Sequence, residues 1–424
     1  MYSNAHPYPG PDDIIRTVLE NGITVLIREN HSAPVAVLAG CIPTGSLHDP
    51  ADKSGLSSFV SSMLTRGSAT YDFDSFNQTV ESVGASLTIH SGTHLSNFGA
   101  HCLSEDFSTM IQVLADVLAA PTFPEEHIEL VRNQKIVQLQ ERDEDTQDVA
   151  NLRFHETIYP DHPYGRPTSG YAHNVASIQR EDLVAFHHQR YTPQGAIIVV
   201  SGDVEANRIL DQLARDFGDW QGDSPQQEVP TAQRQTAIQR IDCALPGKHQ
   251  TDIVLGCLAV NRLDPDFDAV RIANTILGQF GMMGRLGERI REEQGLAYYA
   301  YSSLETERAA GVWSASAGVS PENVAQAIDS MVAEIERLGS EPVHDAELAD
   351  TQAYMTGVVP LTLETNGGIA STLLSIEWHA LGLDYLHRYN DAIFSVTPAD
   401  VQRVAQRYLD PNAYTLVVAG PPQN

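Results

Sequence analysis

The sequence predicts an α+β protein of two homologous domains, each a mostly antiparallel sheet with helices packed on one face. Three observations predict it. Strand-like alternation and helix-like apolar stripes are interleaved along the whole chain. The two halves also end alike: Ala196-Ile197-Ile198-Val199-Val200 runs into Ser201-Gly202-Asp203, and Tyr414-Thr415-Leu416-Val417-Val418 into Ala419-Gly420-Pro421. Upstream of these, Arg190-Tyr191-Thr192-Pro193 answers Arg407-Tyr408-Leu409-Asp410-Pro411, and acid-containing helix starts precede both, at Gln179-Arg180-Glu181-Asp182 and Thr397-Pro398-Ala399-Asp400. Finally, Val83-Gly84-Ala85-Ser86 echoes Gln294-Gly295-Leu296-Ala297, each a helix reaching a left-handed Gly cap before a strand. A duplication with a period of roughly 210–217 residues accounts for all of this. The polar segment 221–235 reads as a linker, giving an N-terminal domain 11–220 and a C-terminal domain 236–424.

Taken in order, Gly22-Ile23-Thr24-Val25-Leu26-Ile27 is an alternating strand, and a second strand is expected at 35–42. After a loop at 43–54 comes a short helix. Its apolar residues Leu56, Phe59, Val60, Met63 and Leu64 fall at i, i+3, i+4, i+7 and i+8. The other face carries Ser57, Ser58, Ser61 and Ser62, where a solvated helix would more often carry Glu, Lys or Arg. Small hydroxyls there suggest a face turned toward a cavity. The same spacing lets a zinc-binding helix set two histidines and a carboxylate on one side, so the geometry is present without the ligands. In the second half, a Gly-rich loop through Gly278, Gly281 and Gly284 leads into a helix that ends at Gly295, and a strand starts at Leu296. Arg291 lies one turn before that end and Tyr298 just inside the strand. Across the reversal, a guanidinium and a phenol could converge on one carbonyl or oxyanion. Taken singly, an ion pair of Arg291 with Glu288 and a core-edge role for Tyr298 would explain them. The Gly-rich loop is neither a dinucleotide fingerprint nor a P-loop.

The bulk composition narrows the classes further. The chain has 424 residues and 42% hydrophobic content, enough for sizeable cores. Its formal charge of −29 argues against a nucleic-acid partner, since phosphate binding needs a positive surface. The cysteines Cys41, Cys102, Cys243 and Cys257 form no CxxC pair and read as buried thiols rather than a disulfide or zinc framework. No signal peptide or membrane-length apolar run is evident, so a cytoplasmic location with no membrane partner is expected. The pairs His90/His94 and His187/His188 lack a carboxylate at metal spacing.

These motifs resemble those of the M16 peptidases, the pitrilysin and mitochondrial processing peptidase-like zinc proteases. Where that family has a helix of the form G-L-A-H-F-x-E-H-M, this chain reads G-L-S-S-F-V-S-S-M. Ser58 and Ser62 stand at the histidine positions and Ser61 at that of the general base. Gln138, ahead of the acidic segment 141–145, stands at the third zinc ligand. The remaining resemblance spans nearly the whole chain: Asn21-Gly22-Ile23-Thr24-Val25, His162-Pro163-Tyr164-Gly165, Tyr191-Thr192-Pro193 and Arg291-Glu292…Gly295-Leu296-Ala297-Tyr298. It implies a catalytically incomplete M16 homologue of the kind that lacks H-x-x-E-H and keeps the Arg/Tyr pair. Arg291 and Tyr298 would then act in trans on substrate at a partner's zinc site. Gly281, Met282, Met283 and Gly284 would contact extended peptide, and no cofactor would reside in this chain. The expected partners are an H-x-x-E-H-bearing M16 subunit, or a second copy of the chain, and a peptide. A structural subunit like the bc1 core proteins and a stand-alone peptide-binding protein are the alternatives.

Overall fold

A computed structural model of the chain describes residues 8–223, 228–282 and 284–422. They form two compact units. The first takes in Met1–Leu139, Pro167–Gln227 and Pro360–His387; the second takes in Gln140–Arg166, Glu228–Val359 and Arg388–Asn424.

The first unit holds a six-stranded sheet made of β1 (Ile15–Val18), β2 (Thr24–Glu29), β3 (Val35–Ile42), β4 (Ser86–Ser91), β5 (Ser96–Leu103) and β6 (Ile197–Gly202). Its order is β1-β2-β6-β3-β5-β4. The second holds five strands, β7 (Gln239–Ala244), β8 (Thr251–Ala259), β9 (Ala297–Glu305), β10 (Gly311–Val319) and β11 (Thr415–Gly420), in the order β7-β11-β8-β10-β9. Apart from β1, the two sheets match strand for strand. Even the parallel pair recurs in place, β2 with β6 and β7 with β11, among otherwise antiparallel neighbours. The expected duplication is therefore visible in the topology itself. The last strand of each half inserts between two others, β6 between β2 and β3 and β11 between β7 and β8, and all six residues of β6 and of β11 are buried. Continuous Ile/Val content suits a strand covered on both faces. The edge strand β4 alternates exposed and half-buried residues, as a one-faced strand should.

Among the described residues, the first half of the sequence carries α1 (Leu56–Met63), α2 (Phe73–Glu81), α3 (Phe107–Ala119), α4 (Glu125–Glu144), α5 (Thr146–Ile158), α6 (Ala172–Ser177), α7 (Arg180–Arg190) and α8 (Ala206–Asp216). In the second half come α9 (Phe267–Gly278), α10 (Gly284–Leu286), a π-helical stretch at Gly287–Glu293, and α11 (Val324–Ser340). Then follow α12 (Asp345–Thr362), α13 (Asn366–Trp378), α14 (Tyr385–Ser395) and α15 (Pro398–Tyr408). In the first unit, Val25, Ile27, Ala36, Leu38, Ile198 and Val200 form one sheet face, buried in a core with Phe59, Val60, Met110, Leu114 and Leu183.

The other face of that sheet is covered by a helix from the second half. Helix α13 lies on β3 and β6. Its Asn366 accepts from Ser201 Oγ at 3.4 Å and from Asn30 Nδ2 at 2.8 Å. Reciprocally, α5 from the first half lies on β8 and β11. There Thr146 donates to the buried Asp252 carboxylate, which also accepts from the Tyr299 hydroxyl. Phe154 sits over Gly256, where a Cβ would come within 2.9 Å of the ring. Alternation in the sequence marks one apolar face per strand. These exchanged helices supply the second cover at the central strands and cross the division read at 221–235. No helix among the described residues is long and apolar enough to cross a membrane.

One contact of α5 carries a pH dependence. His155 Nε2 lies 3.0 Å from Glu305 Oε2 on β9. Burial opposes charge on the imidazole, but the hydrogen bond and charge of Glu305 outweigh it and raise the His155 pKa. Burial likewise opposes the Glu305 carboxylate, and His155 nonetheless holds its pKa down. A raised histidine contributes stability that is complete below its unfolded value of about 6.5 and fades as pH climbs through the folded value. The depressed Glu305 contributes above its unfolded value of about 4.3 and fades as pH falls through the folded one. His155→Gln should therefore flatten the decline in Tm between about pH 6 and pH 8. Thermal melts of both proteins across that window check it.

Candidate functional site

Helix α1 starts on Gly55, where two features require glycine: φ is +95°, and a Cβ would lie only 2.6 Å from the Ser169 carbonyl oxygen. The buried Asp49 carboxylate accepts from the backbone N–H groups of Gly55 at 2.8 Å and Ser57 at 2.9 Å, neutralising the helix start. Leu56, Phe59, Val60, Met63 and Leu64 are all buried, as their spacing predicts. On the opposite face, Ser61 Oγ and Ser62 Oγ both donate back to the Ser58 carbonyl, at 3.0 and 2.9 Å. Ser58 Oγ accepts instead from Lys135 Nζ of α4 at 2.9 Å. Burial pushes the Lys135 ammonium down to about 8. Gln138, a turn further along α4, is exposed.

These donors do not suit zinc. Hydroxyls and an amide stand where imidazoles and carboxylates would be needed, and an ammonium lies among them. Among the described residues, no group of three or more His, Cys, Asp or Glu is placed to hold a metal. The histidine pairs give the same answer. His90 is on β4 while His94 is in the turn before β5, and buried His187 is committed through Nε2 to the Leu118 carbonyl. Cys41 and Cys257 are buried, and desolvation raises their thiols to about 12 and about 11.

No helical spacing in the sequence singles out Lys135, because it comes to α1 through tertiary packing. One local signal exists: it is one of three lysines in a chain that otherwise uses arginine, three residues before the Gln138 position.

The Arg/Tyr segment lies in the second unit. Gly284, at φ +61°, approaches the Ile276 carbonyl so closely that a Cβ would lie 2.6 Å away. Buried Arg285 next to it forks onto Glu347, with Nε at 2.7 Å from Oε1 and Nη2 at 2.5 Å from Oε2. The following turns are π-helical rather than α-helical. At their end the Gly295 N–H bonds the Arg291 carbonyl at 3.1 Å and the Leu296 N–H bonds the Ile290 carbonyl at 3.0 Å. Each bond spans one residue more than in an α-helical ending, which is the extra residue of the wider turn. Gly295 has φ +62°, the left-handed cap expected from sequence, and Gly84 has the same value in the first half.

On this frame the Arg291 side chain is one-third exposed (33%), with Glu292 at 3.5 Å as its ion-pair contact in place of Glu288. Tyr298 is 82% exposed. It opens β9, the edge strand onto which the π-helical stretch packs, and its hydroxyl has no partner among the described residues. It is the residue passed over where the β9–β10 register shifts, between Ala297 opposite Val319 and Tyr299 opposite Gly318. Beyond the shift Ala300 and Ser302 are buried, and Ser302 is tied to α9 by a hydrogen bond to the Asn274 carbonyl. In the preceding loop, Phe280 stacks edge-on against Tyr354 at 5.5 Å, while Gly281 and Met282 are exposed. Met283 lies outside the described residues.

Comparison with known proteins bears on the family and the fold. Residues 24–171 match the family model described as Insulinase (Peptidase family M16), and residues 177–355 match the Peptidase M16 inactive domain. An uncharacterized zinc protease of Mycobacterium tuberculosis is 27% identical over 96% of this chain and 93% of its own length. Subunit 1 of the bovine mitochondrial cytochrome b-c1 complex is 26% identical over 62% of this chain and 55% of its own. A crystal structure of a peptidase M16 inactive domain from Pseudomonas fluorescens superimposes with a TM-score of 0.90, at 23% identity, covering 97% of this chain and 98% of that one. With both of its halves matched and its duplicated sheet topology shared, the chain belongs to the M16 peptidase family.

Proposed function

We propose that this chain is the zinc-less subunit of a two-chain M16-type metalloendopeptidase, working in the cytoplasm beside a subunit that bears H-x-x-E-H. The observation that carries this reading is a contrast. The zinc-ligand positions hold Ser58, Ser62 and Gln138 and the general-base position holds Ser61, whereas Arg291 on the π-helical stretch and Tyr298 near the start of the edge strand after it keep a guanidinium and a phenol. An exposed phenol whose hydroxyl bonds nothing within the described residues is available to a bound substrate.

The edge of β9 offers backbone N–H and C=O groups to an extended peptide, and Gly281 and Met282 in the nearby loop would add contacts. Zinc in the partner would polarise the peptide carbonyl and activate water. Arg291 and Tyr298 would donate hydrogen bonds to the oxygen that gains charge as the tetrahedral intermediate forms.

The test is reconstitution. This chain, an H-x-x-E-H protein from the same source, and the two together are assayed for cleavage of extended peptides, with and without chelator. Metal analysis of the isolated chain should find no stoichiometric zinc, and chelator-sensitive cleavage should appear only in the mixture. Zinc-dependent cleavage by the isolated chain would overturn the reading. A stable but inert complex would favour a scaffold role of the bc1 core-protein kind, and peptide binding with no partner a stand-alone binding protein.

A further inference from the structure

We infer that Ser58 and Lys135 form a metal-independent nucleophile–base pair, able to transfer acyl groups from ester or peptide substrates through an acyl-serine. The pair belongs to the first unit and does not depend on the partner-subunit reading.

Three observations carry it. Lys135 Nζ lies 2.9 Å from Ser58 Oγ, within the reach that proton transfer between nucleophile and base requires. Of the four serines on this face of α1, Ser61 and Ser62 commit their hydroxyl hydrogens to the Ser58 carbonyl. Among the described residues, Ser57 Oγ is fully buried with no partner, and Ser58 alone meets Lys135 and donates to nothing. Its proton is therefore free to leave. The Lys135 ammonium, finally, has no carboxylate partner among the described residues, in a chain with 55 acidic residues. Helix α1 contributes no ionisable group. Within one turn on α4 the only charged neighbour is Arg132, which is engaged with Glu129 and the Val175 and Ile178 carbonyls. A half-buried lysine whose only partner is a neutral hydroxyl gains little from staying charged, and desolvation lowers its pKa to about 8, where the free amine is well populated.

In the reaction, the neutral Lys135 amine takes the Ser58 hydroxyl proton as Oγ bonds to the substrate carbonyl carbon. The tetrahedral adduct collapses, the bond to the leaving alcohol or amine breaks, and that group takes the proton from Lys135. Water, giving its proton to Lys135, then attacks the acyl-serine. The acid is released as Ser58 recovers its hydrogen.

The test uses the full chain alone, in chelator, with a fluorophosphonate probe. Ser58 Oγ would bond to phosphorus, fluoride would leave, and Lys135 would take the proton. Mass spectrometry should place the adduct on Ser58, at a rate rising with pH through about 8. Ser58→Ala should abolish it, and Ser61→Ala should retain it. Lys135→Arg keeps the charge but cannot supply a free amine, and should slow labelling by about 100-fold or more. No adduct on Ser58 in the folded wild-type chain at pH 9 would overturn the inference, as would equal labelling of Lys135→Arg. Because chelator is present and no partner is added, neither result bears on the zinc-dependent reaction.

Discussion

Replacing Arg291 with Ala, or Tyr298 with Phe, is expected to lower partner-dependent peptide cleavage by about 10²–10³-fold, the usual cost of removing one donor to a developing oxyanion. Stability should barely respond. Tyr298 is 82% exposed and loses only an oxygen, while Arg291 is one-third exposed and held by a single ion pair at 3.5 Å. Surface changes of this kind shift Tm by about 1–2 °C at most. Circular dichroism melts thus separate a catalytic effect from a folding effect. Because the oxygen carries full charge only near the transition state, the loss should fall on kcat with KM little changed. Arg291→Lys should recover only part of the rate, since an ammonium lacks the planar fork. Unchanged cleavage in both variants would remove Arg291 and Tyr298 from the chemistry and leave a scaffold role in possession.

Much of the fold was legible because its signals are local. The strand predicted at 35–42 is β3, and those read at 196–200 and 414–418 are β6 and β11 displaced by one or two residues. Gly22, Gly84 and Gly295 take the positive φ angles that their turn contexts demand. The repeat was legible for a related reason: a central strand buried on both faces must be apolar throughout, so its two copies cannot drift far apart in composition. Three features were not legible. The π-helical stretch adds one residue to a turn, and apolar periodicity is too coarse to register it. Lys135 reaches Ser58 from a separate helix 77 positions along the chain. The exchange of α5 and α13 is hidden for a third reason. An apolar helix face shows that a sheet must cover it, but nothing in the pattern says which of two similar sheets does so.

That exchange makes a sharp expectation. Phe154→Ala should destabilise the protein by about 3–5 kcal/mol, the range for truncating a buried phenylalanine. Phe154 is 1% exposed, and its ring occupies the space that the missing Gly256 side chain leaves on β8. The surrounding strand is held by paired backbone on both sides, by β10 and β11, so it has little freedom to close the cavity. The location of the damage is more telling than its size. Hydrogen exchange should show protection lost at β8 and β11, encoded in the second half, although the mutation is in the first. Leu373→Ala in α13, also at a 1% exposed position, should cost about 2–5 kcal/mol and open β3 and β6 instead. If each mutation loosened the sheet of its own half, the reciprocal packing would be wrong. If the crossed pattern holds, neither half of the sequence carries its complete core, and the fragment 11–220 expressed alone should leave the α5 face uncovered and β6 without its second cover.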